Sequence, residues 1–144
     1  MVTGPNVVLK GEQNKLILDG KKWHRTGDSG YLGSNGELYL TGPVSALVHW
    51  QGRLWSPFVF EGQTRGIAGV ERAALLKLGE QLVAVVGATK AAEKAAVKAA
   101  VLRLGYPLDE VVFLDKIPVD QRHGGKIRYA ELEELINGKL RKEA

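Results

Sequence analysis

The sequence predicts an α+β fold: a short antiparallel β segment followed by a small C-terminal domain in which a few-stranded sheet carries packed helices. Three observations predict it. Brief apolar runs alternate with Gly-containing turn pairs over residues 1–43, the pattern of hairpins. Two longer apolar runs, 71–78 and 81–86, flank Gly79-Glu80 as an antiparallel pair. Two later segments, 90–104 and the one starting near Tyr129, have helical spacing. Gly42-Pro43 punctuates the chain, so the expected division is 1–43 and 44–144.

Taken in order, Val7-Val8-Leu9 and Lys15-Leu16-Ile17-Leu18 are short strand candidates, and Val2 to Val8 reads as the middle of a sheet. Asp19-Gly20 and Ser34-Asn35-Gly36 are tight-turn signals, the second closing a hairpin between Tyr31-Leu32 and Leu38-Tyr39-Leu40. This part holds too little apolar material for a core of its own. Leu47 to Trp50 and Leu54-Trp55 are strands around the turn Gln51-Gly52-Arg53. Ser56-Pro57 opens a helix, because serine supplies a capping oxygen and proline fits the first helical position. That helix runs to Arg65 before Gly66. Thr89 is the expected cap of a helix over 90–104, stopped by Gly105 and Pro107. Its apolar face is Val97, Val101 and Leu104, with Ala96 and Ala100. Glu110 to Leu114 is the next strand. A last helix from Tyr129 buries Leu132, Leu135 and Ile136 and is expected to end or fray at Asn137-Gly138.

Composition bounds the function. The chain has 144 residues, 44% hydrophobic and 25% charged, as in a soluble globular protein. No stretch approaches the roughly 20 apolar residues of a membrane span. No signal peptide is visible, and there is no cysteine, which fits a cytoplasmic setting. His24, His49 and His123 lack metal-ligand spacing, so no structural metal is expected. The net charge of +4 comes partly from Lys90, Lys94 and Lys98, every fourth residue on one helix. That stripe reads as a solvated face, since no RNA- or DNA-binding motif accompanies it. It leaves open a basic complement to an acidic surface or a polyphosphate.

The chemistry concentrates near the end, in Ile117 to Leu132. A strand runs into a polar loop that closes on Gly124-Gly125-Lys126. Two glycines free the backbone and remove side-chain bulk, so the loop can approach a ligand with Lys126 at its tip. A lysine is a compact mobile cation suited to phosphate or carboxylate oxygens. Thr26-Gly27-Asp28 can present a carboxylate beside bare backbone, an arrangement suited to vicinal hydroxyls such as those of a ribose. Taken singly, each is also an ordinary surface turn.

The ordered set resembles a known family. Trp23-His24-Arg25-Thr26-Gly27-Asp28, Gly30-Tyr31-Leu32, Gly42, Gln51-Gly52-Arg53-Leu54-Trp55-Ser56-Pro57, Gly69-Val70-Glu71 and Gly125-Lys126 resemble, in order and spacing, the C-terminal part of the adenylate-forming enzymes. These are acyl-CoA synthetases, fatty acyl-AMP ligases and peptide-synthetase adenylation domains. The resemblance implies an ATP-dependent, Mg2+-assisted joining of a carboxylic (in the first instance fatty) acid to AMP, with CoA as one candidate acceptor. It implies that residues 1–43 end the large N-terminal domain and that 44–144 are the mobile lid. It further implies that Lys126 bridges the substrate carboxylate and α-phosphate, that Asp28 binds the ribose, and that Gly52 faces the site after the lid turns. Because the N-terminal domain holds most of the ATP, Mg2+ and acyl contacts, the resemblance implies a fragment that is inactive alone.

Three positions depart from the family pattern. Pro43 stands where an arginine is usual, Ala46 where the hinge carries Asp or Lys, and His49 where a basic residue often follows. Nucleotide binding and lid rotation are the properties these changes touch. Pro118-Val119-Asp120-Gln121-Arg122-His123 and Lys126-Ile127, with His24, look like a run in the β-lactone synthetases of olefin biosynthesis, which need no CoA. In that reading Arg122 and His123 are site residues; otherwise they are a loop ion pair and a surface histidine. A second function class follows from Pro43 and Ala46: a degenerate, non-catalytic lid kept as a protein-interaction module. A third, nucleic-acid binding through the lysine stripe, is the weakest.

Overall fold

The computed structural model describes residues 15–143. The expected strand Val7 to Leu9 and the sheet-like run Val2 to Val8 lie outside the described residues. The chain divides into two compact units after Leu47, beyond the Gly42-Pro43 punctuation. Each is described by itself.

The first unit consists of hairpins. Strand β1 (Lys15–Leu18) pairs antiparallel with β2 (Lys21–His24) across Asp19-Gly20. Both turn residues have positive φ, 50° and 72°, which matches the right-handed twist of the flanking strands. Strand β3 (Asp28–Leu32) pairs antiparallel with β4 (Leu38–Pro43), placing Tyr31 opposite Tyr39 and Leu32 opposite Leu38 as the sequence predicts. The two tyrosine rings stack with centroids 5.1 Å apart. The register slips between Ser29 and Gly30, and only glycine fits there: a Cβ on Gly30 would lie 2.6 Å from the Tyr39 carbonyl oxygen. Pro43 does not end the unit. It stays in β4 opposite Asp28, and the Val44 amide then donates to the Gly27 carbonyl at 2.8 Å. Tyr31, Leu32, Leu38 and Leu40 are all more than half exposed, and no apolar side chain of this unit is buried among the described residues.

The second unit is built on a three-stranded sheet. After the hairpin β5 (Val48–Trp50) and β6 (Arg53–Trp55) comes helix α1 (Pro57–Thr64), whose first turn is capped by Ser56 Oγ accepting from the Val59 amide at 3.1 Å. Strands β7 (Arg72–Leu78) and β8 (Gln81–Gly87) pair antiparallel, and β9 (Glu110–Leu114) runs parallel to β8 on its other side. The parallel step needs a crossover, which helix α2 (Lys94–Leu102) supplies. Helix α3 (Tyr129–Glu143) ends the chain.

Leu82 to Val86 of β8 are all buried, because both faces of the sheet are covered. On one face Ala73, Leu75, Leu82, Ala84 and Val86 pack with Phe60 of α1 and Val97 and Val101 of α2. On the other Ala74, Leu76, Val83 and Val85 pack with Leu132 and Ile136 of α3. The period-two alternation of β7 and β8 thus divides the core between the two helical layers.

The helices correct five expectations. Thr89 does not cap a helix; its hydroxyl donates to the Gly69 carbonyl at 2.9 Å, and residues 91–93 form a 3-10 turn before α2 starts at Lys94. Lys90 therefore leaves the lysine stripe, and Lys94 sits over the Phe113 ring at 5.5 Å. Ala96 is exposed and does not share the buried face of Val97 and Val101. Asn137-Gly138 does not end α3, because Leu140 packs on the same face as Leu132 and Ile136 and holds the extra turns to the sheet. Leu135, expected in that face, points away and is half exposed.

Two adjacent α3 residues test this packing. Ile136→Ala is expected to cost about 2–5 kcal/mol, as for a buried aliphatic truncated to leave a cavity. Leu135→Ala is expected to stay within about 0.5 kcal/mol. Chemical denaturation of the two variants checks both.

Candidate functional site

The segment after β9 leaves the sheet through Ile117, which is buried against the α3 side of the core. It then forms a short hairpin: β10 (Val119–Asp120) pairs antiparallel with β11 (Lys126–Ile127), putting Asp120 directly opposite Lys126. Between them residues 121–123 make one 3-10 turn, and Gly124 and Gly125 follow with φ of 67° and 71°. Consecutive left-handed residues are what glycine makes cheap, and the pair returns the chain so that the Gly125 amide donates to the Asp120 carbonyl at 2.9 Å. Lys126 is thus not the tip of the loop. It lies just past the turn, in a strand, where the ladder sets its register within the hairpin. Its side chain is exposed, and no ion pair to it occurs among the described residues.

Arg122 and His123 lie on the same turn, so the structure brings three of the predicted site residues onto one hairpin. Asp120, which the sequence reading did not single out, organises them. One of its carboxylate oxygens accepts from the Arg122 amide at 2.9 Å, and the other lies 2.7 Å from His123 Nδ1. The His123 contact, the Arg122 amide and the charge of Arg128 together hold the Asp120 carboxyl below its ordinary range. The signal was present in the sequence: Asp120 precedes a turn and stands three residues before a histidine.

Three further residues went unnoticed because they are distant in sequence. Tyr129, the first residue of α3, donates its hydroxyl to Glu61 Oε1 of α1 at 2.5 Å, across 68 positions. Burial pushes Glu61 upward against the lowering effects of that bond, Arg72 and Arg65. Burial, the Glu61 charge and the same bond push Tyr129 strongly upward, so its hydroxyl stays a donor. Glu61 and Arg72 also line a cleft of about 250 Å³ with Thr64, Arg65 and Val70. A Cβ built on Gly125 would meet the Arg72 guanidinium at 3.4 Å, so the turn lies over that side chain.

Gly52 is elsewhere. Gln51 and Gly52 form the β5–β6 turn with φ of 47° and 72°, in open space. The adjacent Trp50 Nε1 donates to the Glu80 carbonyl at 3.2 Å, in the turn between β7 and β8. The Lys126 hairpin lies by Arg72 at the start of β7 and the Gly52 turn by Glu80 just past its end, and β7 itself spans about 20 Å at roughly 3.3 Å per residue. One rigid unit therefore carries two loops at opposite ends of its sheet. Asp28 belongs to the first unit, where it opens β3 with an exposed side chain and its amide donates to Thr26 Oγ1 at 3.2 Å. Among the described residues no group of three or more His, Cys, Asp or Glu converges to hold a metal, and no helix is long and apolar enough to cross a membrane.

The Asp120 arrangement makes a pH prediction. A carboxyl whose folded pKa is depressed contributes order above its ordinary range and loses it as pH falls through the folded value. Amide exchange at Arg122, corrected for intrinsic pH dependence, is expected to quicken under acid conditions before that of β8. Asp120→Asn should remove most of this acid sensitivity, and an unchanged profile would count against the assignment.

No protein-family model matches the sequence. Solved structures do match. A Mycobacterium tuberculosis fatty acyl CoA synthetase superposes with a TM-score of 0.58 at 24% identity, covering 85% of this chain and 26% of that one. The anthranilate CoA ligase AuaEII, solved with anthranoyl-AMP, gives 0.63 at 16% identity, covering 83% and 25%. ATP-bound MatB from Rhodopseudomonas palustris gives 0.59 at 23% identity, also covering 83% and 25%. The chain therefore spans about a quarter of the length of these enzymes, and over that stretch it has the fold of adenylate-forming ligases.

Proposed function

We propose that the chain is the C-terminal portion of an ATP-dependent carboxylate-activating ligase and carries its adenylation lysine, Lys126. The observation that supports this most is the exposed ammonium of Lys126, held at a defined ladder position on a glycine-turned hairpin, in a fold shared with CoA ligases. In adenylation a carboxylate oxygen attacks the α-phosphorus of ATP, an O–P bond forms, and pyrophosphate leaves with the electrons of the broken bond. Two anions approach each other in that step. A fixed cation between them offsets the growing charge, and does so more strongly once water is excluded. ATP supplies the activated phosphorus; this chain supplies Lys126, with Arg122 and His123 on the same turn toward the phosphates.

Asp28 fits the grip on the ribose hydroxyls, since its carboxylate is exposed beside Gly27, whose φ of 80° keeps side-chain bulk away. Gly52 fits a second face of the lid, used when CoA or another acceptor arrives, because it lies at the opposite end of β7 from Lys126. Mg2+ would be held, with most of the ATP, by the N-terminal domain. The N-terminal adenylation domain and a carboxylic acid, in the first instance a fatty acid, are the partners this reading requires. The described portion is expected to be inactive without that domain, and its place of action would be the cytoplasm. Pro43 and Ala46 favour one competing reading, a non-catalytic lid that serves as an interaction module.

The full-length protein carrying this chain decides between them. Lys126→Ala is expected to lower carboxylate-dependent pyrophosphate release by about 10²–10³-fold, the range for loss of a charge-stabilising group. Transfer from a supplied acyl-adenylate should survive. Asp28→Ala should chiefly raise KM for ATP. Pyrophosphate release that is absent in the unaltered protein would remove the ligase reading and favour the interaction module.

A further inference from the structure

We propose that Glu61, Tyr129 and Arg72 form a brace that sets the pose of Lys126, making Tyr129 a positioning residue for adenylation. The proposal deepens the ligase reading and rests on it. Lys126 stands in a two-residue strand, too short to fix its own orientation on the body of the unit. It is pinned on both sides. Before it, Gly125 lies over the Arg72 guanidinium at the start of β7. After it, the chain runs through Ile127, packed on the α3-side core, to Tyr129, whose hydroxyl is bonded to Glu61 on α1. Glu61 and Tyr129 come from helices that cover opposite faces of the sheet. Their bond therefore passes round the outer edge of β7, which has no strand neighbour on that side among the described residues.

The chemistry of the bond suits a rigid link. The Tyr129 hydroxyl donates to a carboxylate oxygen, a charge-assisted pairing that is shorter and stronger than a neutral one. Burial raises Glu61 above its ordinary range, the Tyr129 bond and the charges of Arg72 and Arg65 oppose that rise, and burial keeps Tyr129 protonated. The brace thus holds a donor, an acceptor and a neighbouring cation together. A displacement of about 1 Å at a reacting group can cost about a hundredfold in rate, so a loosened hairpin should show in turnover before it shows in binding.

The test uses the full-length protein. Tyr129→Phe removes only the hydroxyl and is expected to lower kcat for pyrophosphate release by roughly ten- to a hundredfold, with KM for ATP changed by less than about twofold. Glu61→Gln keeps an acceptor oxygen and should stay within about threefold of the unaltered enzyme, whereas Glu61→Ala should match Tyr129→Phe. In a Lys126→Ala background Tyr129→Phe should add nothing, because the brace acts only through Lys126. A fully folded Tyr129→Phe enzyme with ordinary kcat, or an equal loss in both backgrounds, would overturn the proposal. A second readout does not depend on catalysis: amide exchange at Gly125 and Arg128, which flank Lys126-Ile127 and donate to the Asp120 and Pro118 carbonyls, should quicken at least about tenfold in Tyr129→Phe, with β8 unchanged. Unchanged exchange at those two amides would also overturn it. If the unaltered protein releases no pyrophosphate, the ligase reading fails, and the exchange experiment still decides whether the brace holds the hairpin.

Discussion

The second unit depends on burying β8 from both faces. A strand flanked by β7 and β9 has its backbone groups satisfied by two ladders, so its side chains are free to be apolar on both sides. Leu82 to Val86 use that freedom completely. The two helical layers then follow, because each face of such a strand is a demand for cover. Phe60, Val97 and Val101 answer on one side, Leu132 and Ile136 on the other. Nothing in this arrangement is chemically active. Its role is to make one stiff body with turns fastened to either end.

That stiffness gives the polar turns their meaning. A lysine on a free loop samples many positions, and ordering it during a reaction would cost conformational entropy. Here the Asp120–Lys126 ladder and two left-handed glycines define the hairpin backbone that carries it. The Gly52 turn is restricted separately, by the Trp50 bond to the Glu80 carbonyl.

The first unit stands in contrast. Its hairpins have the turn geometry, the stacked tyrosines and the bulge of well-formed β structure, yet their apolar side chains remain largely exposed. Local pairing needs only a compatible turn and register, whereas a core needs a second layer. Among the described residues, these hairpins have local pairing and no layer that buries their tyrosines and leucines.

The sequence by itself determined those features whose cause is local. Asp19-Gly20 and Ser34-Asn35-Gly36 announced turns, Ser56-Pro57 announced a helix start, and the runs 71–78 and 81–86 around Gly79-Glu80 announced an antiparallel pair, because each rests on backbone preference or on pattern within a few residues. The candidate lysine was legible for the same reason, through the two glycines before it. Tertiary structure decided the rest. Thr89 bonds to Gly69 and leaves the helix uncapped, since a long-range acceptor competed with the local one. Asn137-Gly138 stays helical, since Leu140 packs beyond it. The Pro43 position continues a strand, since Asp28 lies opposite it. Glu61 and Tyr129 meet because two helices were laid on opposite faces of one sheet and both reach its edge. No pattern in either segment encodes that encounter; it exists only once the sheet has brought the two helices together.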